Sequence, residues 1–183
     1  MGLWLRLCLS DAHARQITEH GLSELPREAC GVLLGVGDQV RRVVAIRNIA
    51  ADPVHHYHMD ERELARVIGG IDNLSLVGFY HTHPTGDPIP SPVDVAQANY
   101  PATPYLIVGL KDRQQPHFLA WRIDYTQVSR IALHIGDNPP PEDQSLPLSS
   151  AARIAILTSA VIAFILMIIG SLILLPPAPP IPR

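Results

Sequence analysis

Residues 74–84 have the sequence Leu-Ser-Leu-Val-Gly-Phe-Tyr-His-Thr-His-Pro, an apolar run that ends in two histidines and a proline. The apolar part, residues 74–80, predicts a buried strand, and Pro84 ends it because proline cannot donate a hydrogen bond to a neighbouring strand. His81 and His83 are separated by one residue, so their side chains lie on the same face of a strand. Two imidazoles on one face can bind the same metal ion, although such a pair can also be two partly exposed rings.

A third ligand follows in Ser91-Pro92-Val93-Asp94. The carboxylate of Asp94, returned by a short loop, would complete three protein ligands and leave a fourth position for water. Such an open position distinguishes a catalytic zinc site from a closed structural one. The same residues predict the start of a helix, with Ser91 as N-cap and Pro92 at the first helical position. The two interpretations are compatible, because a helix start holds a ligand rigidly. The expected cofactor is one zinc ion.

Glu28 is the candidate general acid/base. It precedes the apolar run at residues 31–36, and partial burial there would raise the pKa of its carboxyl group toward neutrality. A carboxylate with such a pKa can take a proton from a water molecule activated by the metal and pass it to the leaving group. The alternative is a solvated loop residue, which an isolated glutamate before a strand usually is.

Three motifs together resemble the signature of a known family. The motifs are Glu28-x-Cys30-Gly31-x-Leu33-x-Gly35, His81-x-His83-Pro84 and Ser91-x-x-Asp94. Their order and spacing are similar to the JAMM (MPN+) metalloprotease signature, and most closely to its prokaryotic JAB-domain branch. The resemblance extends from about residue 3 to about residue 134.

Carried over by position, the resemblance implies a role for five residues. The zinc ligands would be His81, His83 and Asp94. Glu28 would be the general acid/base, and Ser91 would help to stabilise the tetrahedral oxyanion. No expected position is substituted, which argues against a catalytically inactive member of the family. The resemblance also implies an α/β fold, the cytidine-deaminase-like JAMM/MPN domain, with a central mixed, mostly antiparallel sheet flanked by helices.

The function implied by the resemblance is that of a zinc metallopeptidase. It would hydrolyse peptide or isopeptide bonds at the flexible C-terminus of ubiquitin-like or sulfur-carrier proteins, whose tail can add as a strand beside the active-site groove. One alternative is a non-enzymatic MPN-type scaffold module in which the metal is structural. Glu28 and Ser91 argue against this alternative, because a structural site needs neither. A zinc hydrolase for small molecules, such as a deaminase, ranks last because no Cys-x-x-Cys ligand pair is present.

Composition narrows the partners and the compartment. The 183 residues carry a net charge of -3 and no basic run, so nucleic-acid binding has no electrostatic support. Cys8 and Cys30 are the only cysteines, which argues against a disulfide framework and matches a reducing compartment. Cys30 is expected to be a small buried strand residue.

Patterns elsewhere predict the remaining elements. Alternation of leucines with other residues predicts a first strand at residues 3–9. Ser10 can cap a helix that runs to about Glu24. Asp60-x-x-Glu63 resembles a capping box that opens another helix. A short helix is expected to follow Asp94. The other predicted strands are 31–36, 40–46, 105–110, 118–123 and 128–135. The cluster His55-His56-Tyr57-His58 is expected to be a polar loop or strand edge that borders the substrate groove, since at most two of its histidines would share an ion on a strand.

The C-terminal part carries a second strong pattern. Residues 154–175 contain no charge over 22 positions. A helix of that length spans about 33 Å, enough for the hydrocarbon core of a bilayer, so the run predicts a transmembrane helix. Since the N-terminus does not resemble a signal peptide, we expect a single-pass, tail-anchored membrane protein with a cytoplasmic catalytic domain. The expected organisation is a JAMM/MPN metalloprotease domain at 1–136, a Pro/Ser-rich linker at 137–152, a transmembrane helix at 153–175 and a short Pro-rich tail at 176–183.

Overall fold

The computed structural model describes residues 6–124 and 127–138, together with Thr158, Ser159, Ile162, Phe164, Met167 and Ile168. The elements are β1 (Arg6–Leu9), α1 (Asp11–Glu24), β2 (Cys30–Val36), β3 (Gln39–Ile46), α2 (Glu61–Gly69), β4 (Ser75–His83), α3 (Pro92–Gln97), β5 (Tyr105–Gly109), β6 (His117–Asp124) and β7 (Gln127–Ile135). These bounds agree with the predicted strands and helices to within a few residues. Residues 3–5 of the predicted first strand lie outside the described residues.

The strands form one sheet in the order β1-β3-β2-β4-β5-β6-β7, which closes into a barrel through β1 and β7. The pairs β2–β3, β2–β4, β5–β6 and β6–β7 are antiparallel, whereas β1–β3, β1–β7 and β4–β5 are parallel. The prediction of a mixed, mostly antiparallel sheet with helices is therefore confirmed. Local sequence patterns do not predict the closure, because it joins the two ends of the domain.

Alternate side chains of β2 and β4 enter two different apolar clusters. Leu33 and Tyr80 belong to the cluster that also contains Ile17 of α1. Val32 and Phe79 belong to a second cluster on the opposite face of the same strands. Strands β2 and β4 are thus buried on both faces, which explains their nearly continuous apolar runs. His81 follows Phe79 by two residues and therefore emerges on the face of the second cluster.

Helices α1 and α2 begin at the predicted N-caps. The Ser10 side chain accepts a hydrogen bond from the backbone N–H of His13, and the Asp60 side chain accepts from two backbone N–H groups of the first turn of α2. The reciprocal half of the predicted capping box at Asp60 is not formed as expected. The carboxylate of Glu63 instead accepts from the backbone N–H of Arg47, while the Asp60 N–H donates to the Arg47 carbonyl. The helix start is therefore connected to the end of β3.

The chain divides into two units, residues 1–140 and 141–183. The six described residues of the second unit are helical, and the side chains of Ile162, Phe164, Met167 and Ile168 are exposed. Within the part of the chain that the structure describes, no helix combines the length and the apolar character that crossing a bilayer requires. Most of the predicted linker, transmembrane helix and Pro-rich tail lies outside the described residues.

Candidate metal centre and active site

The end of β4 and the start of α3 bring together three predicted metal ligands. The Nε2 atoms of His81 and His83 are 3.1 Å apart. The Asp94 carboxylate places Oδ1 3.4 Å from Nε2 of His81 and Oδ2 3.5 Å from Nε2 of His83. Among the described residues, these three side chains form the group whose ligand atoms converge closely enough to hold a metal ion.

The spacing of these donors fits a tetrahedral zinc ion. Zinc binds imidazole nitrogen and carboxylate oxygen at about 2.0–2.2 Å, which in a tetrahedron separates neighbouring donor atoms by about 3.3–3.6 Å. The separations at this centre, 3.1, 3.4 and 3.5 Å, lie at or close to that range. Two imidazoles and one carboxylate are also a donor set found at catalytic zinc sites. The group can therefore hold a metal ion.

His83 is oriented by the loop that follows it. Its Nδ1 lies 2.8 Å from the Asp87 carbonyl oxygen, which can only accept, so Nδ1 carries the proton and Nε2 presents its lone pair to the centre. The loop itself is held by Trp121, whose Nε1 donates to the Pro88 carbonyl at 2.8 Å. Burial alone would lower the pKa of His83, but the Asp94 carboxylate and the Asp87 carbonyl outweigh burial and raise this pKa.

Asp94 is held by the start of α3, as the sequence predicts. The backbone N–H of Ser91 donates to Oδ2 of Asp94 at 2.7 Å, and the N–H of Asp94 donates to Oγ of Ser91 at 3.1 Å. This reciprocal capping box fixes the carboxylate within the centre. Burial opposes ionisation of Asp94, but hydrogen bonding to His81 and His83 prevails and lowers the pKa of the carboxyl group. The capping interpretation is confirmed, and it leaves Asp94 in position to act as a ligand.

The register between β2 and β4 brings Glu28 to the centre. Cys30 lies opposite His81 in this antiparallel pair. The same register continues beyond the strand, because Thr82 N–H donates to the Ala29 carbonyl and Ala29 N–H donates to Oγ1 of Thr82, both at 2.9 Å. One residue further, Glu28 comes opposite His83. Glu28 is therefore delivered to the ligand face although 53 positions separate it from His81 in the chain.

The carboxyl group of Glu28 is buried and incompletely bonded. The residue is 5% exposed, and its Oε2 has no hydrogen-bond partner. Burial raises the pKa of Glu28 to about 7, with additional repulsion from Asp94 and Asp52 and an opposing attraction from His83. A buried carboxylate oxygen without a partner is costly for the fold and is often found at a functional site. Its chemistry is that of a proton acceptor near neutral pH.

Asn48 holds the backbone around Glu28, a role that the sequence patterns do not indicate. Its Nδ2 donates to the carbonyl of Glu28 at 2.9 Å and to that of His56 at 3.0 Å. Its Oδ1 accepts from the backbone N–H groups of Ala50 and His58, both at 3.0 Å. Asn48 thus connects Glu28 to the loop formed by residues 49–58. The available signal is only a lone asparagine at the end of a strand, which is too weak to distinguish it from an ordinary turn residue.

The same loop places Tyr57 against the metal centre. The Tyr57 ring stacks on the ring of His81 with centroids 4.3 Å apart. The surrounding cluster 55–58 is a loop, as predicted, and His55 pairs with Asp52 at 3.0 Å. Tyr57 and His58 line a pocket beside the site, and the expectation that the cluster borders the substrate groove stays a prediction.

Both cysteines are buried, free thiols. Cys30 shares a strand face with His81, but its Sγ donates to the Ile46 carbonyl at 3.3 Å. Burial raises the pKa of the Cys30 thiol to about 12, so the thiolate form is suppressed. Cys30 is therefore a packing residue, as predicted, and takes no part in the chemistry of the centre.

Comparison with known proteins assigns this chain to a family. Residues 10–124 match the family described as prokaryotic homologs of the JAB domain. A desampylase from Haloferax volcanii is 38% identical over 111 residues, covering 58% of this chain and 77% of the relative. A probable TtuB-protein conjugate cleaving protease from Thermus thermophilus is 35% identical over 92 residues, covering 49% of this chain and 61% of the relative.

A solved structure has a similar fold. The solution structure of a protein from Desulfitobacterium hafniense superimposes with a TM-score of 0.66 at 28% sequence identity, covering 72% of this chain and 94% of that protein. The predicted JAB/MPN fold is confirmed by the family match over residues 10–124. The prediction of an enzyme of the hydrolase class is confirmed by the two relatives, both of which are named for bond cleavage. This chain belongs to the prokaryotic homologs of the JAB domain.

Proposed function

We propose that this chain is a metallopeptidase that uses one zinc ion, held by His81, His83 and Asp94, to cleave peptide or isopeptide bonds at the C-terminus of ubiquitin-like or sulfur-carrier proteins. The observation that carries the proposal is the convergence of three donors at 3.1–3.5 Å beside the buried, incompletely bonded carboxyl group of Glu28. The two relatives named as a desampylase and a conjugate cleaving protease support the substrate class. A purely structural metal site would have no use for the unbonded Oε2 of Glu28.

Proton transfer is the role of Glu28 in this mechanism. The chemistry that zinc supplies at such a centre is polarisation of the scissile carbonyl and a lowered pKa for water. Glu28, in its carboxylate form, accepts the proton of the attacking water. It then returns this proton to the departing amine nitrogen as the carbon–nitrogen bond breaks. The elevated pKa of Glu28 suits both transfers, because acceptance and donation at neutral pH require a value near 7.

Stabilisation of the oxyanion is the role of Ser91. Its Oγ accepts a hydrogen bond from the Asp94 N–H, which occupies a lone pair and leaves the hydroxyl proton for another acceptor. Donation of this proton to the oxygen of the tetrahedral intermediate would lower the barrier, as donors directed at developing charge do. The capping box keeps Ser91 and the ligand Asp94 in one rigid unit.

The test is a cleavage assay combined with metal analysis of the purified chain. Fusions in which a carrier protein is joined through its C-terminus to a reporter should be cleaved by the wild type. Glu28→Gln should retain the metal and lose about 10²–10⁴-fold in turnover, the usual contribution of a general acid/base. Glu19→Gln, an exposed position on α1, is the matched control and should cleave like the wild type. A Glu28→Gln variant that retains zinc and full activity would refute the mechanism, and a zinc-loaded wild type that cleaves no carrier fusion would favour a scaffold role.

We also propose that residues 153–175 anchor the chain in a membrane as a single span, with the metal centre on the cytoplasmic side. The support is the run of 22 uncharged residues at 154–175, while the two buried free thiols of the first unit fit a reducing compartment. The full chain should then remain in the membrane pellet after an alkaline wash. The variant with both Ile162→Asp and Ile168→Asp should move to the supernatant, because charges at the centre of a span oppose insertion. Recovery of the wild type in the supernatant would contradict the anchor.

A further inference from the structure

A pocket with a volume of ≈ 350 Å³ lies beside the metal centre. Its apolar walls are formed by Tyr57, Met59, Leu64, Phe79, Tyr100 and Tyr105. The remaining lining residues are exposed and polar or charged, and they include Glu61. No ligand is assigned to this pocket by the mechanism above, which uses only the centre itself.

The pocket and the centre share a wall. The Tyr57 ring that lines the pocket also stacks on His81. Phe79, at the base of the pocket, precedes His81 by two residues and points to the same face of β4. Two strand residues correspond to about 6.6 Å. A peptide that lies extended across the centre therefore passes the pocket within a few residues of the cleaved bond.

The walls of the pocket are preformed. Phe79 and Tyr105 are each 4% exposed and stack with centroids 5.6 Å apart, and Phe79 also contacts the ring of Tyr100 at 4.9 Å. The backbone N–H of Tyr100 donates to the hydroxyl of Tyr105 at 3.1 Å, which fixes the two aromatic residues relative to each other. Rigid aromatic walls favour an apolar guest, because a charged guest would lose its hydration against them. The carboxylate of Glu61 also lines the pocket, but its side chain is 84% exposed and faces water.

We propose that this pocket is a specificity site that binds one large apolar side chain, aromatic or aliphatic, of the tail whose terminal bond is cleaved. The proposal rests on the proposed function. Alternate residues of an extended tail face the same side, so the side chain that enters the pocket lies two to four residues before the cleaved bond. The pocket then selects the tail by one anchor, while backbone contacts hold the rest of the extended segment.

The experiment measures binding separately from cleavage. Fluorescein-labelled hexapeptides that end in glycine carry one phenylalanine at one of the four positions before that glycine, with alanine elsewhere. Their affinity for the full-length, zinc-loaded Glu28→Gln variant is measured by fluorescence anisotropy. At one position, phenylalanine or leucine should bind at least about tenfold more tightly than alanine, as burial of an apolar group in a preformed pocket gives, and aspartate should bind no better than alanine. The proposed specificity site would be overturned if phenylalanine and alanine gave equal affinities at all four positions, or if none of the peptides bound measurably.

Substitutions in the pocket test whether the preference for phenylalanine depends on it. Leu64→Trp fills the pocket and Tyr100→Ala removes a partly exposed wall, and each should reduce the preference for phenylalanine to within about threefold. Val36→Trp places the same large side chain at an exposed position of β2 and should leave the preference unchanged. If the wild type cleaves carrier fusions but the Glu28→Gln variant shows no preference among the peptides, the proposed function stands and the specificity site is refuted. If the preference is present but no fusion is cleaved, the pocket binds an apolar side chain as proposed, but the proposed function is refuted and the pocket is not a specificity site for cleavage.

Discussion

The ring of Tyr57 lies against the ring of His81, with the two planes inclined by 23° and the centroids 4.3 Å apart. Tyr57 lies on a loop, whereas His81 lies on strand β4, so the contact joins this loop to the sheet. An imidazole covered on one face by an aromatic ring has little freedom to rotate. The proposed metal ligand is thereby held in the orientation that directs Nε2 toward His83 and Asp94.

Removal of this contact should weaken metal binding. Tyr57→Ala leaves the three ligands in place but frees the His81 ring, and we expect zinc affinity to fall by about 10–100-fold, as it does when groups that orient a ligand are lost. Tyr57→Phe preserves the stack and should retain affinity. Competition with a chromophoric chelator measures both variants. Equal affinities for Tyr57→Ala and the wild type would show that the stack does not orient His81.

Zinc should stabilise the folded chain by mass action, because the unfolded chain does not bring the three donors together. At a free zinc concentration 100 times Kd, the free energy of unfolding should increase by about 2.7 kcal/mol. This gain is measured as the rise in Tm when zinc is added to the chelator-treated protein. Asp94→Asn removes one anionic ligand and should abolish most of this rise. Asp72→Asn, at an exposed position, is the control and should preserve it. A rise of the same size in the Asp94→Asn variant would place the zinc elsewhere.

The ionisation of Glu28 should make the metal-free protein less stable as pH rises. Its pKa is about 7 in the folded state and 4.5 ordinarily, so the folded state binds more protons than the unfolded state between these values. The contribution of Glu28 is therefore most favourable below about pH 4.5 and is lost by about pH 7. Glu28→Gln, which cannot ionise, should become more stable relative to the wild type across this window, by roughly 1–3 kcal/mol. Denaturant unfolding at a series of pH values measures the difference, and a difference that does not vary with pH would contradict it.

Two substitutions at Ser91 should separate its two roles. Ser91→Ala and Ser91→Gly both remove the hydroxyl, so each should lower kcat by about 10²-fold if that group donates to the oxyanion. The loss of the N-cap costs about 1 kcal/mol with alanine but only a few tenths with glycine. Steady-state kinetics and denaturant unfolding should thus give equal kinetic losses and unequal stability losses. Proportional losses in the two measurements would mean that Ser91 acts through the fold alone.

Asn48 should affect turnover more than metal binding. Asn48→Ala breaks its hydrogen bonds to Glu28 and to the loop that carries Tyr57, so we expect kcat to fall by about tenfold or more with little change in KM. The three proposed zinc ligands lie on β4 and α3, so at saturating zinc the metal content should remain close to that of the wild type. Asn73→Ala, at an exposed position, is the control. An Asn48→Ala variant with normal kcat would show that Glu28 is positioned without this side chain.

Much of the fold could be predicted because its strands and helices have strong local patterns. The apolar run that ends in His81 and His83 forms β4, and Ser91 caps α3 as expected. The closure of the barrel could not be predicted in this way. It pairs β1 with β7, in the register Arg6 with Ala132, and no short-range pattern indicates which strand will pair with another so far along the chain.

The sequence by itself determined the donor set and its geometry over short distances, because strand alternation places His81 and His83 on one face and a capping signal places Asp94 at the start of a helix. Only the tertiary structure decided how distant groups reach the centre. Glu28 comes opposite His83 through the register of β2 with β4, and Tyr57 reaches His81 through a loop held by Asn48. The physical reason is that periodicity is a property of adjacent residues, whereas register and loop packing depend on the whole arrangement of the sheet.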